Sequence, residues 1–425
     1  MSTPRVSVGE AQAQVRAAVR LRPVVEIPTF DAAGRVLARS LHAARRLPTY
    51  DDSAMDGYAV RAAEVVAERR FIVDGETAAG NAEVLALPAG AARRIFTGAA
   101  LPPGADAVVM QEDSRRDGAG VFFNPKPRSP ALSLVLPFEN VRRAGSDVEL
   151  GTALLAVGRV LTPGDLSLCG AMGSLTLPVF DRCRVLIVGS GDELIALDAG
   201  APRRGEVVDT NTWALAAAVS LMGHRVTVLP TLRDDRAETE RVLTDAVVRC
   251  DVLITCGGMS VGDHDHVGPT LRALCGPDFG FWSVAIKPGK PLAFGHAGQA
   301  AVFGLPGNPV SALVTFELFV RPYLLGTEGH RHLFRRPCPA LVVHDLEPGG
   351  GREVYLRATV TGFTDGSGSE RLPIVDARRN QSSGALSGLC GADALIRIEV
   401  GQAARSAGER VSIIWLTENA ESRHG

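Results

Sequence analysis

The chain has 425 residues, 46% of them hydrophobic and 22% charged, and its 45 basic and 47 acidic side chains leave a net charge of −2. That length predicts several domains with substantial cores, and near-neutrality argues against a protein that chiefly coats nucleic acid or an anionic membrane. No apolar run approaches the roughly 18 residues needed to span a bilayer, the N-terminal residues carry no apolar signal core, and the seven cysteines form no C-x-x-C pair. A cytoplasmic setting, with reduced thiols and neither nucleic acid nor membrane as partner, is therefore expected. Only Lys126, Lys287 and Lys290 among the basic residues are lysine.

In chain order, Ser7 and Glu10 form a capping-box pattern that opens a helix reaching to about residue 21. A strand over 24–27 and a helical run over 31–41 are expected next. Between about 48 and 145 short apolar strands at 70–73, 94–96 and 107–110 alternate with turn residues, the signature of a mostly β module. A Pro/Ser-rich stretch at 125–137 reads as an exposed loop. From Arg184 the rhythm changes to strand–helix–strand: strands at 185–188, 225–229, 251–255, 281–286 and 300–303, a helix capped by Thr210 and stopping at Gly223, and another opened by Asp235 and Glu238. This alternation predicts a parallel sheet covered by helices. After about Gly329, short strands and Gly-rich turns predict a small C-terminal β-barrel or sandwich.

In open α/β sheets ligands bind beyond the carboxyl ends of the strands, and the unusual strings of the central region all fall there. Gly189-Ser190-Gly191-Asp192-Glu193 follows the first strand, where Glu193 either faces a ligand or is a solvated acid in a tight turn. Asp234 is the freer carboxylate of Arg233-Asp234-Asp235, since Asp235 serves as an N-cap. The loop from Gly257 through Gly258, Ser260 and Gly262 is rich in backbone donors suited to phosphate. Asp263 and Asp265 beside it offer hard oxygen ligands for Mg²⁺, whereas His264 and His266 lack a third ligand at fixed spacing. Asn308 and Pro309 fit the N-cap and first position of a helix, so the start at 308–310 is either an anion site or a well-made cap. Lys287 and Lys290 sit on a proline-stiffened turn. Three aspartates, Asp51, Asp52 and Asp56, crowd one turn of the β module, either a solvated turn or a metal or anion site.

In this order the strings resemble the molybdopterin molybdenumtransferase family, the MoeA and gephyrin E-domain group. The carriers are DDSAMDGYAVR (51–61), RIFTGA (94–99), ADAVVMQED (105–113), RRAGSD (142–147), GDEL (191–194), DTN (209–211), GGMSVGDHD (257–265), IKPGKP (286–291) and GLPGNPVSA (304–312). The resemblance covers essentially the whole chain. It implies a multidomain α/β plus β architecture: a central parallel-sheet α/β molybdopterin-binding domain (1–24 and 178–329), an elongated helical linker domain (25–48 and 148–177), an inserted β module (49–147) and a C-terminal β-barrel (330–425). It implies the last step of molybdenum cofactor synthesis, in which adenylylated molybdopterin and molybdate react with release of AMP, promoted by Mg²⁺. It further implies a homodimer whose cleft lies between the central domain of one subunit and the β module of the other. Molybdopterin adenylyltransferase and acceptor molybdoenzymes are the implied protein partners.

By motif, the resemblance gives Glu193, Asp234 and Asp265 to catalysis, with Glu193 and Asp265 holding the metal, and the anionic charge of the implied substrates adds Lys287 and Lys290 as catalytic cations. Gly257, Gly258, Ser260, Gly262, Pro306, Asn308, Pro309 and Arg352 go to the substrate, and Asp56, Thr97 and Asp147 to a wall contributed by the partner. Arg357 falls in the same family motif as Arg352. The chain departs from the family at Asp52, where Asn is usual, and at Ser283, where Lys is usual. The alternative reading is a non-catalytic protein that binds or delivers the cofactor.

Overall fold

The computed structural model describes residues 5–66, 68–81, 83, 85–124, 135–259, 265–365 and 371–416. The chain forms two compact units, Ile27–Leu177 and Met1–Glu26 with Pro178–Gly425.

In the first unit, six strands form one sheet: β1 (Gly57–Val60), β2 (Arg70–Thr77), β3 (Ala91–Ile95), β4 (Ala107–Met110), β5 (Ser114–Asp117) and β6 (Gly120–Phe123), in the order β4-β1-β3-β2-β6-β5. β1 is buried along its whole length, and Tyr58, Phe71, Val109, Val121 and Phe123 pack beneath the sheet. The expected helix over 31–41 does not form. A single 3₁₀ turn spans Thr29–Ala32, and Gly34 then takes φ +75°, a left-handed conformation that ends helical winding. Val36 instead bridges to Val160, just ahead of helix α2 (Pro163–Ala171). The loop expected at 125–137 lies largely outside the described residues.

The second unit begins with α1 (Val8–Ala17), whose capping box is formed as expected, with the Ser7 hydroxyl accepting from the Glu10 amide. Its central sheet comprises β7 (Arg184–Gly189), β8 (Arg225–Val228), β9 (Val252–Cys256), β10 (Phe279–Ser283), β12 (Pro291–Ala297) and β13 (Ala300–Leu305), in the order β8-β7-β9-β13-β12-β10. The strand β11 (Ile286–Lys287) lies between β10 and β12 in sequence and outside this sheet. β8, β7, β9 and β13 run parallel. β7 shows why their sequences are continuously apolar. Val185 and Ile187 face a core shared with α1 and α3 (Asn211–Leu221), while Leu186 and Val188 face one shared with α4 (Arg236–Arg249) and α5 (Val267–Cys275).

Two expectations are corrected at the sheet's other edge. β12 and β10 are antiparallel to their neighbours, because a tight turn at Gly298, φ +61°, folds β12 straight back into β13 and leaves no room for a crossover helix. The single strand expected over 281–286 is also two: β10 ends at Ser283, and β11 pairs with the C-terminal domain.

That domain is a closed five-stranded barrel of β14 (Cys338–Val342), β15 (Glu353–Phe363), β16 (Pro373–Asp376), β17 (Ala394–Ile398) and β18 (Arg410–Trp415), closed by pairing of β15 with β17. The parallel register Ile286↔Glu353 and Lys287↔Val354 fastens it to the central domain.

Candidate active site

A cleft of about 1010 Å³ opens at the carboxyl ends of β7, β9 and β13 and is walled on one side by the barrel. This is where a doubly wound sheet is expected to bind its ligand. Glu193, Asp234, Gly257, Gly258, Asp265, Lys287, Lys290, Pro306, Asn308 and Arg352 all line it. Ser260, Gly262, Asp263 and His264 lie outside the described residues. Pro309 does not line the cleft; as the first residue of α6 (Pro309–Thr315) it shapes the helix start.

Local structure explains the placements. The turn after β7 is drawn to the turn after β8 by a bridge between Ser190 and Leu232 and by the Asp234 amide, which donates to Asp192 Oδ1 at 3.1 Å. Glu193 and Asp234 thereby face one space. Gly257 has φ +91°, and a Cβ there would lie 2.5 Å from the Ser190 carbonyl oxygen, so the loop can press against its neighbour only as glycine. Lys287 and Lys290 flank a turn with a cis Lys287–Pro288 bond. It is closed by the Val284 amide and the Ser283 hydroxyl, which both donate to the Lys290 carbonyl. Ser283, buried and absent from the cleft lining, therefore props the lysine turn from behind. The register of β11 on β15 sets Arg352 just ahead of the residue paired with Ile286.

The cleft carries both signs of charge, with Glu193, Asp209, Asp234 and Asp265 lining it alongside four cations. Lys287, Lys290, Arg352 and Arg357 line the same cleft, and among the described residues none of them is ion-paired. Arg357 is 1% exposed. It donates to the carbonyls of Asn380 (2.6 Å), Ser382 (3.1 Å) and Gln381 (3.3 Å). Its Nε has no hydrogen-bond partner, and burial lowers the guanidinium's pKa. Clustered cations that no carboxylate pairs with leave their charge to be met by a bound anion. Cys256 lies under the glycine loop, where burial pushes its thiol up to about 12, so it stays protonated.

The helix start at 308–310 corrects an expectation. Asn308 occupies the N-cap position, but its side chain makes no cap bond. The Val310 amide donates to the Ser383 carbonyl of the barrel at 3.1 Å, and Pro309 has no N–H to offer. This amide joins two domains and is not available to an anion.

Sequence reasoning missed Asn211, whose amide donates to the Gly307 carbonyl at 2.6 Å from the cleft wall. It also missed Ser382 and Ser383 as lining residues. Thr210 is not a side-chain cap. Asp209, one residue earlier, caps α3 by accepting from the Thr212 amide and hydroxyl.

Asp56, Thr97 and Asp147 belong to the other compact unit. Asp56 Oδ1 accepts from both the Thr97 amide and its hydroxyl at 2.8 Å. These two bonds, the backbone one first, hold the Asp56 carboxyl below its ordinary pKa. Asp147 is exposed. The aspartates beside Asp56 are structural: Asp52 takes a two-bond pair from Arg142, at 2.7 and 3.1 Å, and Asp51 accepts from the Ala144 amide. Pairing with Arg142 suits a carboxylate at 52.

Comparison with known proteins agrees with this architecture along the chain. Residues 6–173 match the MoeA N-terminal region (domains I and II), 186–326 a probable molybdopterin binding domain, and 340–416 the MoeA C-terminal region (domain IV). The molybdopterin molybdenumtransferase of Haemophilus influenzae is 36% identical over 330 residues, 77% of this chain and 79% of that protein. That of Nostoc sp. is 34% identical over 399 residues, 92% of this chain and 88% of that protein. The crystal structure of the molybdopterin biosynthesis MoeA protein from Pyrococcus horikoshii superposes with a TM-score of 0.82 at 27% identity, covering 97% of this chain and all of that one. The chain belongs to the MoeA family, the molybdopterin molybdenumtransferases.

Proposed function

We propose that this chain transfers molybdenum to molybdopterin, taking adenylylated molybdopterin and molybdate and releasing AMP, the last step of molybdenum cofactor synthesis. The observation that carries the proposal is the set of cations on one cleft, Lys287, Lys290 and Arg352, none of them ion-paired among the described residues. Molybdate and a phosphoanhydride are both anions, and such a set binds them at no cost in broken ion pairs. Lys287 and Lys290 suit a compact oxyanion, since an ammonium acts as a point charge. Arg352 suits a phosphate, which its fork engages through two bonds.

Glu193, Asp234 and Asp265 supply the opposing carboxylates. Among the described residues no three His, Cys, Asp or Glu side chains cluster closely enough to cage a metal. Mg²⁺ ordinarily uses one or two protein carboxylates and takes its remaining ligands from phosphates and water, so a Glu193–Asp265 site completed by substrate is consistent with this cleft. When bound, the ion supplies charge neutralisation at the phosphoanhydride.

We further propose a homodimer in which Asp56, Thr97 and Asp147 of one subunit face the cleft of its partner, working in the cytoplasm between molybdopterin adenylyltransferase and the acceptor molybdoenzymes. The carrier-protein alternative rests on Ser283, where the family's usual lysine is missing. A serine that holds the lysine turn closed leaves Lys287 and Lys290 on the cleft, so that support is weak. The test is AMP release from adenylylated molybdopterin with molybdate and Mg²⁺. Wild type releases AMP, whereas Glu193→Ala and Asp265→Ala lose release and keep pterin binding. Binding without any AMP release by wild type overturns the transferase reading in favour of the carrier.

A further inference from the structure

Two short strands, Leu194–Ile195 and Val207–Val208, pair in parallel beside the cleft, with Leu194, a cleft residue, opposite Val207. That register sets Glu206 level with Glu193, and the Val207 amide donates to the Glu193 carbonyl at 2.7 Å. Glu206 closes a tight turn, Arg203-Arg204-Gly205-Glu206. Its amide donates to the Arg203 carbonyl at 3.0 Å, and the Arg203 amide donates back to Glu206 Oε2 at 2.8 Å. Gly205 takes φ +95°, at the position where a type II turn calls for glycine. The turn is therefore held at the rim of the cleft. Both of its arginines are exposed, and among the described residues neither guanidinium has a hydrogen-bond or ion-pair partner. At the opposite end of the same sheet, by contrast, Arg184 and Arg225 each pair with an aspartate.

We propose that Arg203 and Arg204 bind a phosphate group at the Glu193 side of the cleft, that of the nucleotide end of the substrate and of AMP. Among the described residues, the lining between Ser190 and Asp234 holds three carboxylates, Glu193, Asp209 and Asp234, and no cation. Arg233, beside Asp234, is spent on the Asp192 carbonyl at 2.8 Å. Lys287, Lys290 and Arg352 belong to the lysine turn and to the start of the barrel strand paired with it. A phosphate on the carboxylate side is repelled unless further positive charge joins it. Arginine's planar fork is the side chain that engages a phosphate through two bonds. An extended arginine is longer than the about 4.8 Å between neighbouring strands, so from a turn one strand away from Glu193 a guanidinium reaches the cleft. The two bonds that fix the turn leave less backbone freedom to lose when the anion binds. The inference rests on the transferase reading above. It gives the nucleotide end of that substrate its cations and leaves molybdate with the lysines.

Two measurements test it on wild type and on two double variants, Arg203→Ala with Arg204→Ala and Arg203→Lys with Arg204→Lys, with circular dichroism checking that each is folded. Calorimetric titration with AMP gives its Kd, and AMP release at varied molybdate gives the KM for molybdate. The double alanine variant is expected to bind AMP at least about tenfold more weakly, and the double lysine variant to recover part of that loss. The KM for molybdate should stay within about twofold of wild type in both, because the lysines hold the compact oxyanion. A wild-type Kd for AMP in the double alanine variant overturns the inference. A rise in AMP Kd and molybdate KM together makes the turn a general support of the cleft and overturns the phosphate assignment. So does a wild type that does not bind AMP. AMP binding that depends on the two arginines, in a wild type that releases no AMP from adenylylated molybdopterin, upholds the phosphate site and removes the transferase reading.

Discussion

At the scale of single residues, the chemistry of the cleft depends on which cation stands where. Arginine supplies most basic positions of this chain, yet the turn between β11 and β12 carries two of its three lysines. An ammonium is small and reorients freely, whereas a guanidinium demands planar, two-bond partners. We therefore expect Lys287→Arg, which conserves charge, to lower the rate of AMP release at least about tenfold, roughly 1.4 kcal/mol of barrier. Wild-type turnover in that variant removes the argument from lysine. Asp56 makes a second residue-scale case. Its two bonds from Thr97 lower its pKa in the folded state, so it stays ionised to a lower pH than in the unfolded chain. The stabilisation it provides is present above the ordinary carboxylate range near 3.9 and is lost as pH falls through the depressed folded value. Thr97→Val removes the hydroxyl bond and keeps the amide bond. The Asp56 midpoint, read from its carboxyl ¹³C shift, should rise in that variant without returning fully to the ordinary value. An unchanged midpoint shows that the hydroxyl contributes nothing.

At the scale of elements, the caps decide where cleft residues stand. Asp209 takes both the amide and the hydroxyl of Thr212, and α3 begins at Asn211, a cleft residue. Replacing an N-cap acid by alanine typically costs about 0.5–2 kcal/mol. Asp209→Ala should lower stability by about that amount in urea titration and weaken pterin binding as well, because Asn211 is released with the helix start. A loss of stability with binding intact separates the cap from the site. Here the difference between sequence and structure has a clear origin. The continuous apolar runs of β7 and β9 and the glycine turns after them are local properties, and they were legible together with the cleft they frame. The partner of an amide is not local. Asn308 has the ideal identity for a cap, but the barrel loop at 383 reaches Val310 across 73 residues of sequence. Asp209 captures the role expected of Thr210 by reaching one residue further. Arg357 was marked only by a family string; its work, holding three consecutive carbonyls at 380–382, depends on barrel closure that no spacing rule encodes. β12 went unnoticed because Pro291 opens it and its apolar residues sit beside those of β13 as one hairpin.

At the scale of the whole molecule, the chain leaves one compact unit at Glu26 and re-enters it at Pro178, after building the other. Among the described residues, those that line the cleft all come from the unit containing 178–425, while Asp56 and Thr97 belong to the other. If the second unit of a partner subunit completes the cleft, ligand binding must tie together surfaces that one chain alone does not. Hydrogen exchange reads this directly. A ligand at a hundred times its dissociation constant adds about 2.7 kcal/mol to the state it binds, which slows exchange through that opening roughly 100-fold. With molybdopterin–AMP bound to wild type, amides at 257–259 and 381–383 should gain protection, and so should Thr97, whose amide already donates to Asp56. In protein diluted until light scattering shows a monomer, the first two groups should keep their gain and Thr97 should lose it. Equal protection of Thr97 in monomer and dimer means that the pair meets the ligand of its own chain, and the partner-wall assignment of Asp56 and Thr97 then falls. Protection at 257–259 that is absent from both forms places the pterin elsewhere and overturns the cleft itself.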